Sequence, residues 1–278
     1  MATLDDLLAD LLADLRAENT GLDELVAGLD PAGWSRPTPA QGWTIAHQIA
    51  HLAWTDDWAT RATRSARRPE DFVEAVERSF APGTDPVEEG AAAGAAEEPA
   101  RLLARWRTGR DELLAALDAS PADVRLPWFG PPMKPASMAT ARLMETWAHG
   151  EDVADALGVT RAPSARLRHV AHLGVRTMGF AFALHGLPAP EPVRVELTGP
   201  DGEPWAWGPE DAANRLTGPA LDFCHLVTQR RHRDDLALAA SGRTALSWLP
   251  IAQAFAGAPG KGREAGAGRE AGAAGGES

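Results

Sequence analysis

The chain is poor in cysteine, with Cys224 alone among 278 residues, and it contains no tyrosine. A single cysteine excludes an internal disulfide framework and fits a reducing compartment. No uninterrupted apolar run reaches the roughly 20 residues that a membrane-spanning helix needs. The N-terminus also lacks the positive start and apolar run of a secretory signal. We therefore expect a cytoplasmic protein that has no membrane partner.

Positive charge is scarce as well. The 27 lysines and arginines are outnumbered by 39 aspartates and glutamates, which gives a formal net charge of -12. Polyanions such as nucleic acids bind poorly to such a surface, so a nucleic acid is not an expected partner. The 44% of hydrophobic residues is enough for a proper core. We expect a small-molecule substrate and a protein that is a monomer or a homodimer.

Helical spacing of apolar residues dominates the chain up to about residue 187. Leu4, Leu8, Leu11 and Leu15 begin the pattern, and Pro- or Gly-rich segments separate the successive helices. A looser acidic stretch, rich in Ala and Gly, occupies 82–98. The predicted helices are 3–29, 44–67, 99–117, 137–157 and 164–184.

The pattern changes after Pro188. Alternation at 193–197, a turn signal at Asp201 and Gly202, and two tryptophans at 205 and 207 predict a β-hairpin. A helix over 219–231, a strand over 236–240 and a last helix to about 255 should follow. The predicted fold class is therefore mainly α, with a helical bundle at 1–187, a small α+β domain at 188–256 and a disordered Gly/Ala-rich tail at 257–278.

Two helices carry residues that are able to bind a metal ion. Glu145 and His149 are four residues apart, so on a helix their side chains lie on one face about one turn apart. A second helix offers His51, with His47 one turn earlier. Two imidazoles and a carboxylate suit Zn²⁺, and they also suit Ni²⁺, Fe²⁺ or Mn²⁺, with positions left for water or substrate.

Simpler interpretations stay open for the same residues. Glu145 and His149 can form a hydrogen-bonded pair on a solvated face, although Met144 and Trp147 beside them indicate a face turned inward, where an unpartnered carboxylate is costly. His47 is open between a fourth ligand, a group that supports the ligands, and a half-exposed core histidine.

Three motifs resemble those of the DinB-like superfamily of four-helix bundles: GWT at 42–44, HL at 51–52, and ETWAHGEDVAD at 145–155. Within it, the chain resembles the N-terminal domain of mycothiol-dependent maleylpyruvate isomerase and, more closely, an actinobacterial family of metal-binding proteins that shares the chain to about Gly262. The resemblance implies that His51, Glu145 and His149 are the metal ligands. It also implies that Arg230 or Arg231 acts near a bound thiol and substrate, although both can equally belong to a solvated helix end.

Two further residues are candidates for the surroundings of the metal. Asp152 can accept the proton of the second nitrogen of His149, and a surface salt bridge is its alternative role. Trp128 lies in a Pro-rich loop that can form a wall of the substrate pocket, and core packing is its alternative role.

The sequence thus predicts a metal-dependent enzyme acting on a small molecule. The leading hypothesis is a thiol-dependent isomerase or S-transferase with a metal-activated thiolate or water, for which the resemblance implies mycothiol. One alternative is a hydrolase or cyclase of natural-product metabolism that uses the metal as a Lewis acid. The other is a metal-binding module without catalysis, in which His47 completes a closed shell of ligands.

Overall fold

The computed structural model describes residues 4–80, 83–257, 260 and 262–266. These residues fall into two compact units that meet in the sequence between Leu157 and Gly158. We predicted this boundary at 187/188. The difference arises because the helix that starts at Leu167 packs against a helix of the second unit that starts at Ala220. Most of the predicted tail, 257–278, lies outside the described residues.

The first unit is a bundle of four long helices with three shorter ones, which confirms the predicted mainly α fold class. The helices are α1 (Leu4–Val26), α2 (Pro31–Trp34), α3 (Ile45–Arg64), α4 (Pro69–Ser79), α5 (Pro86–Ala95), α6 (Pro99–Asp118) and α7 (Pro135–Leu157). Among the long helices, α1 packs on α7 and contacts α6, and α3 packs on both α6 and α7.

Apolar side chains at three- and four-residue spacing explain this packing. Leu8, Leu11, Leu12 and Leu15 of α1 are all buried, as the periodicity predicts. Burial of each such side chain stabilises the fold by about 1.5–3 kcal/mol. The core around α3 and α6 continues the same pattern, with Leu22, Ile45, Ile49, Leu52, Leu102, Trp106 and Val153 buried together.

Helix α5 corrects the interpretation of 82–98 as a loose segment. Asp85 caps the helix by accepting hydrogen bonds from the backbone N–H groups of Val87 and Glu88, and Pro86 occupies its first turn. Gly90 and Gly94 face α3 so closely that a Cβ on Gly90 would lie 2.6 Å from the Trp54 ring. The small residues that look like a flexible linker therefore let α5 pack against α3.

A buried ion pair joins α3 to α7. Arg142 Nε donates to Asp56 Oδ1 at 2.9 Å, and the two side chains are only 4% and 5% exposed. Burial raises the pKa of the Asp56 carboxyl, and the charge and hydrogen bond of Arg142 oppose that shift. Removing either partner leaves the other charged side chain buried without a counter-ion.

The described residues of the second unit form four α-helices, two short 3₁₀ helices and a four-stranded sheet, in agreement with the predicted α+β domain. The strand order is β2-β1-β3-β4, with β1 antiparallel to β2 and parallel to β3, and β3 antiparallel to β4. The elements are α8 (Leu167–Arg176), α9 (Met178–Leu184), β1 (Val193–Thr198), β2 (Pro204–Trp207), β3 (Asn214–Pro219), α10 (Ala220–Val227), β4 (Ala239–Ser241) and α11 (Arg243–Trp248).

The predicted hairpin is confirmed as β1 and β2, with Val195 opposite Trp207 and Leu197 opposite Trp205. The sequence prediction missed β3, in which Leu216 is the one large apolar residue. It also merged α8 and α9 into one helix. None of the described helices is both long and apolar enough to cross a membrane.

The Asp56–Arg142 pair predicts a large difference between two neighbouring aspartates. Asp56→Ala should lower the free energy of unfolding by about 3–5 kcal/mol, because it leaves a buried guanidinium without its anion. Asp57→Ala, the matched control, removes a pair with Arg61 whose side chains are 52% and 55% exposed, and it should change stability by less than about 1 kcal/mol. Chemical denaturation measures both values. Equal effects of the two variants would contradict this account of the bundle interior.

Candidate metal centre

The structure brings together the three side chains predicted as metal ligands. His51 comes from α3, while Glu145 and His149 lie one turn apart on α7. Glu145 Oε2 lies 3.1 Å from His149 Nε2 and 3.4 Å from His51 Nε2. One nitrogen or oxygen from each residue lies within 4.8 Å of those of the other two. A single cation can therefore be reached from both helices.

The three side chains differ in exposure. The imidazoles of His51 and His149 are 9% and 11% exposed, whereas the carboxylate of Glu145 is 23% exposed. Burial by itself raises the pKa of Glu145, but hydrogen bonds and positive charge from His149 and His51 lower it well below its usual value. This direction favours the carboxylate anion, which is the form of a carboxyl group that binds a metal ion.

The donor set fits a divalent cation. Two imidazole nitrogens and one carboxylate oxygen form a set that catalytic zinc sites use. Within the described ranges, no fourth His, Cys, Asp or Glu atom joins this group. The group therefore matches a three-ligand site that leaves room in the coordination shell, which is the feature that separates catalytic from structural zinc sites.

Trp43 covers the two histidines from the segment before α3. Its ring centroid lies 5.4 Å from that of His51 and 6.0 Å from that of His149, with the latter rings nearly parallel. Trp43 Nε1 donates to the Glu88 carboxylate of α5 at 3.1 Å. Helix α5, which the sequence did not predict, therefore holds an aromatic wall of the site in place.

His47 has a contact at the beginning of α3. Its Nδ1 lies 2.8 Å from Thr44 Oγ1 and accepts a longer hydrogen bond from the Thr44 backbone N–H. This is the reciprocal contact that a residue at the third helical position makes with the N-cap residue. Among the described residues, His47 does not belong to the group of converging ligand atoms.

Gln48 is a site residue that the sequence analysis overlooked. Its side-chain oxygen is hydrogen bonded to His149 Nδ1, the place in which we expected Asp152. Asp152 is buried on α7, and its contribution to the site stays a prediction. The signal in the sequence is an amide next to the buried residues Ile45, Ile49 and Leu52 of α3, one turn before His51.

Comparison with protein-family models extends these observations. Residues 15–154 match the model described as the mycothiol maleylpyruvate isomerase N-terminal domain. The chain belongs to this family. The matched region includes His51, Glu145 and His149, and the match confirms the resemblance found in the motifs. Residues 189–241 match a second model, described as wyosine base formation.

Relatives and solved structures agree with the family assignment. The chain is 55% identical to two uncharacterized proteins of Mycobacterium tuberculosis, from strains CDC 1551 / Oshkosh and ATCC 25618 / H37Rv, over 91% of this chain and 97% of each relative. A crystal structure of mycothiol-dependent maleylpyruvate isomerase matches 87% of this chain and 96% of its own, at 18% identity and a TM-score of 0.58. A mutant of that enzyme matches 88% of this chain and 99% of its own, at 17% identity and a TM-score of 0.60. This chain therefore has the same fold as these two structures.

Arg230 and Arg231 lie just after α10, in the second unit. Arg230 Nη1 donates to the Thr228 carbonyl at 2.6 Å, and Arg231 Nη1 donates to the Arg230 carbonyl at 2.7 Å. Arg231 lines a cavity of about 230 Å³ together with His232 and Arg233. The predicted catalytic contribution of both arginines stays a prediction.

Trp128 belongs to an aromatic cluster of the first unit. Its ring centroid lies 5.0 Å from Phe129 and 6.4 Å from Phe72, and Phe129 in turn stacks on Trp54. Trp54 is one turn after His51 on α3 and lines a cavity of about 400 Å³ with Phe80 and other residues. Contact of Trp128 itself with a substrate stays a prediction.

Proposed function

We propose that this chain is a metal-dependent enzyme that uses a thiol, mycothiol, to isomerise a small electrophilic molecule or to transfer the thiol to it. The observation that carries the proposal is the convergence of His51, Glu145 and His149 on one point within a buried part of the bundle. The family model, which is named after a mycothiol-using isomerase, supports the thiol and the reaction class.

In this proposal the three residues hold one divalent ion, with Zn²⁺ favoured by the donor set and Ni²⁺, Fe²⁺ or Mn²⁺ as alternatives. When bound, the ion lowers the pKa of a coordinated thiol or water, so that a nucleophile exists near neutral pH. Three protein ligands favour this role over the alternative of a closed, purely structural site. His47 is already in contact with Thr44 at the start of α3, which argues against its use as a fourth ligand.

Trp43 and Glu145 have different roles in the proposed site. Trp43 excludes water from one side of the two imidazoles, because its ring lies within 6.0 Å of both ring centroids. Glu145 is the most exposed of the three ligands, so the open side of the site lies toward its carboxylate. We assign substrate binding to this open side.

The substrate is proposed to be a small carboxylate-bearing electrophile. Arg230, and as an alternative Arg231, would bind its carboxylate through charge-assisted hydrogen bonds. The net charge of -12 disfavours a nucleic-acid substrate. The match to wyosine base formation therefore does not alter the proposal.

The metal site predicts a selective loss of bound metal. Protein purified without chelators should carry roughly one divalent ion per chain, and His51→Ala or Glu145→Ala should lose most of it, because each ligand contributes directly to affinity. Elemental analysis gives the metal content. His47→Ala, one turn away on the same helix, is the matched control and should keep the metal. Retention of metal by His51→Ala at the wild-type level would contradict the assignment.

The proposed reaction predicts turnover that depends on the thiol. Metal-loaded protein should convert maleylpyruvate in the presence of mycothiol and lose this activity when mycothiol is omitted, which a spectrophotometric assay of the substrate measures. Glu145→Ala should reduce the rate to that of the uncatalysed mixture. Turnover that is equally fast without any thiol would favour the Lewis-acid hydrolase or cyclase. No turnover of maleylpyruvate or other electrophiles by fully loaded protein would contradict the thiol-dependent reaction.

A further inference from the structure

We infer that Gln48 is a positioning residue, which holds His149 in the tautomer that binds metal through Nε2. This inference rests on the proposed metal site and adds to it a residue outside the ligand set. Gln48 is fully buried on α3, and its side-chain oxygen is hydrogen bonded to His149 Nδ1 across the interface between α3 and α7. Nε2 of the same ring faces Glu145 at 3.1 Å.

The direction of these hydrogen bonds follows from their partners. Thr38 Oγ1 donates its single proton to the Trp43 carbonyl at 2.9 Å. The hydroxyl can therefore only accept from Gln48, whose Nε2 lies 2.8 Å away. The amide must then turn its NH₂ group toward Thr38 and its oxygen toward His149. An amide oxygen has no proton to give, so His149 Nδ1 must be the donor.

This relay determines which nitrogen is available for a metal ion. A neutral imidazole carries one proton, and with that proton on Nδ1 the lone pair is on Nε2. Nε2 is the His149 atom that faces Glu145 Oε2. The same carboxylate oxygen lies 3.4 Å from His51 Nε2, which comes from the other helix. Metal binding through Nε2 therefore leaves the Nδ1 proton and its hydrogen bond to Gln48 in place.

The relay also fixes the orientation of the His149 ring. Gln48 is held at both ends of its amide, by Thr38 and by His149, and it has no solvent exposure through which the amide could exchange partners with water. Hydrogen-bond partners of metal-binding histidines typically contribute a factor of about 10–100 in metal affinity. We assign a contribution of this size to Gln48.

Metal titration of chelator-treated, full-length protein tests the inference. Gln48→Leu has a similar size but no acceptor, and it should raise the Kd for Zn²⁺ by about 10–100-fold. Gln48→Glu keeps an acceptor toward His149 and should retain affinity close to that of the wild type. Gln41→Leu, an exposed glutamine on the segment before α3, is the matched control and should leave the Kd unchanged.

Nitrogen NMR of the imidazole rings supplies a readout that a purely structural role would not change. The wild type, with and without metal, should show His149 with its Nδ1 proton present, and Gln48→Leu should lose the protected Nδ1 signal even where its unfolding midpoint equals that of the wild type. A His149 that carries no Nδ1 proton in the wild type would overturn the inference. So would a Gln48→Leu variant that binds Zn²⁺ as tightly as the wild type.

The two proposals fail in different ways. A wild type that binds no metal, yet keeps the protected Nδ1 proton through Gln48, would contradict the proposed function and leave the hydrogen-bond relay standing. A wild type that binds metal at His51, Glu145 and His149, with a Kd unaffected by Gln48→Leu, would contradict only the positioning role.

Discussion

The packing of α3 against α7 is the constraint on which the site depends. Neither helix supplies all three candidate ligands, because α7 contributes Glu145 and His149 and α3 contributes His51. Polar contacts between described residues cross this interface: His51 with Glu145, Gln48 with His149, and Asp56 with Arg142. Buried polar groups of this kind are stable only when they are partnered. The contacts therefore specify the helix register and build the site at the same time.

Much of the fold follows from the spacing of apolar residues. The leucines of α1 and the alternation of β1 with the turn before β2 are strong local signals, and the structure confirms the elements they predict. The missed elements have weaker signals. Glycines such as Gly90 and Gly94 are typical of loops. Here they lie in a helix, where the absence of a side chain lets that helix pack closely on Trp54 and Ala50 of α3. The parallel pairing of β3 with β1 is nonlocal, so no short-range pattern indicates it.

The candidate ligands were predictable to different degrees. The four-residue spacing of Glu145 and His149 indicates a shared face directly, whereas His51 depended on the family resemblance, because nothing local distinguishes it from His47. The contributions of Gln48, Trp43 and Glu88 follow from tertiary contacts between segments far apart in the sequence. Helical periodicity does not show such contacts, so only the folded chain shows that Gln48 meets His149 Nδ1.

The central claim is that one cation binds where α3 and α7 bring their side chains together. Anomalous diffraction at the zinc edge from crystals of metal-loaded protein tests it most directly. The account predicts one strong peak within roughly 2.0–2.2 Å of His51 Nε2, His149 Nε2 and an oxygen of Glu145, with no fourth protein ligand. A peak elsewhere in the molecule, or a shell of four protein ligands that includes His47, would contradict it.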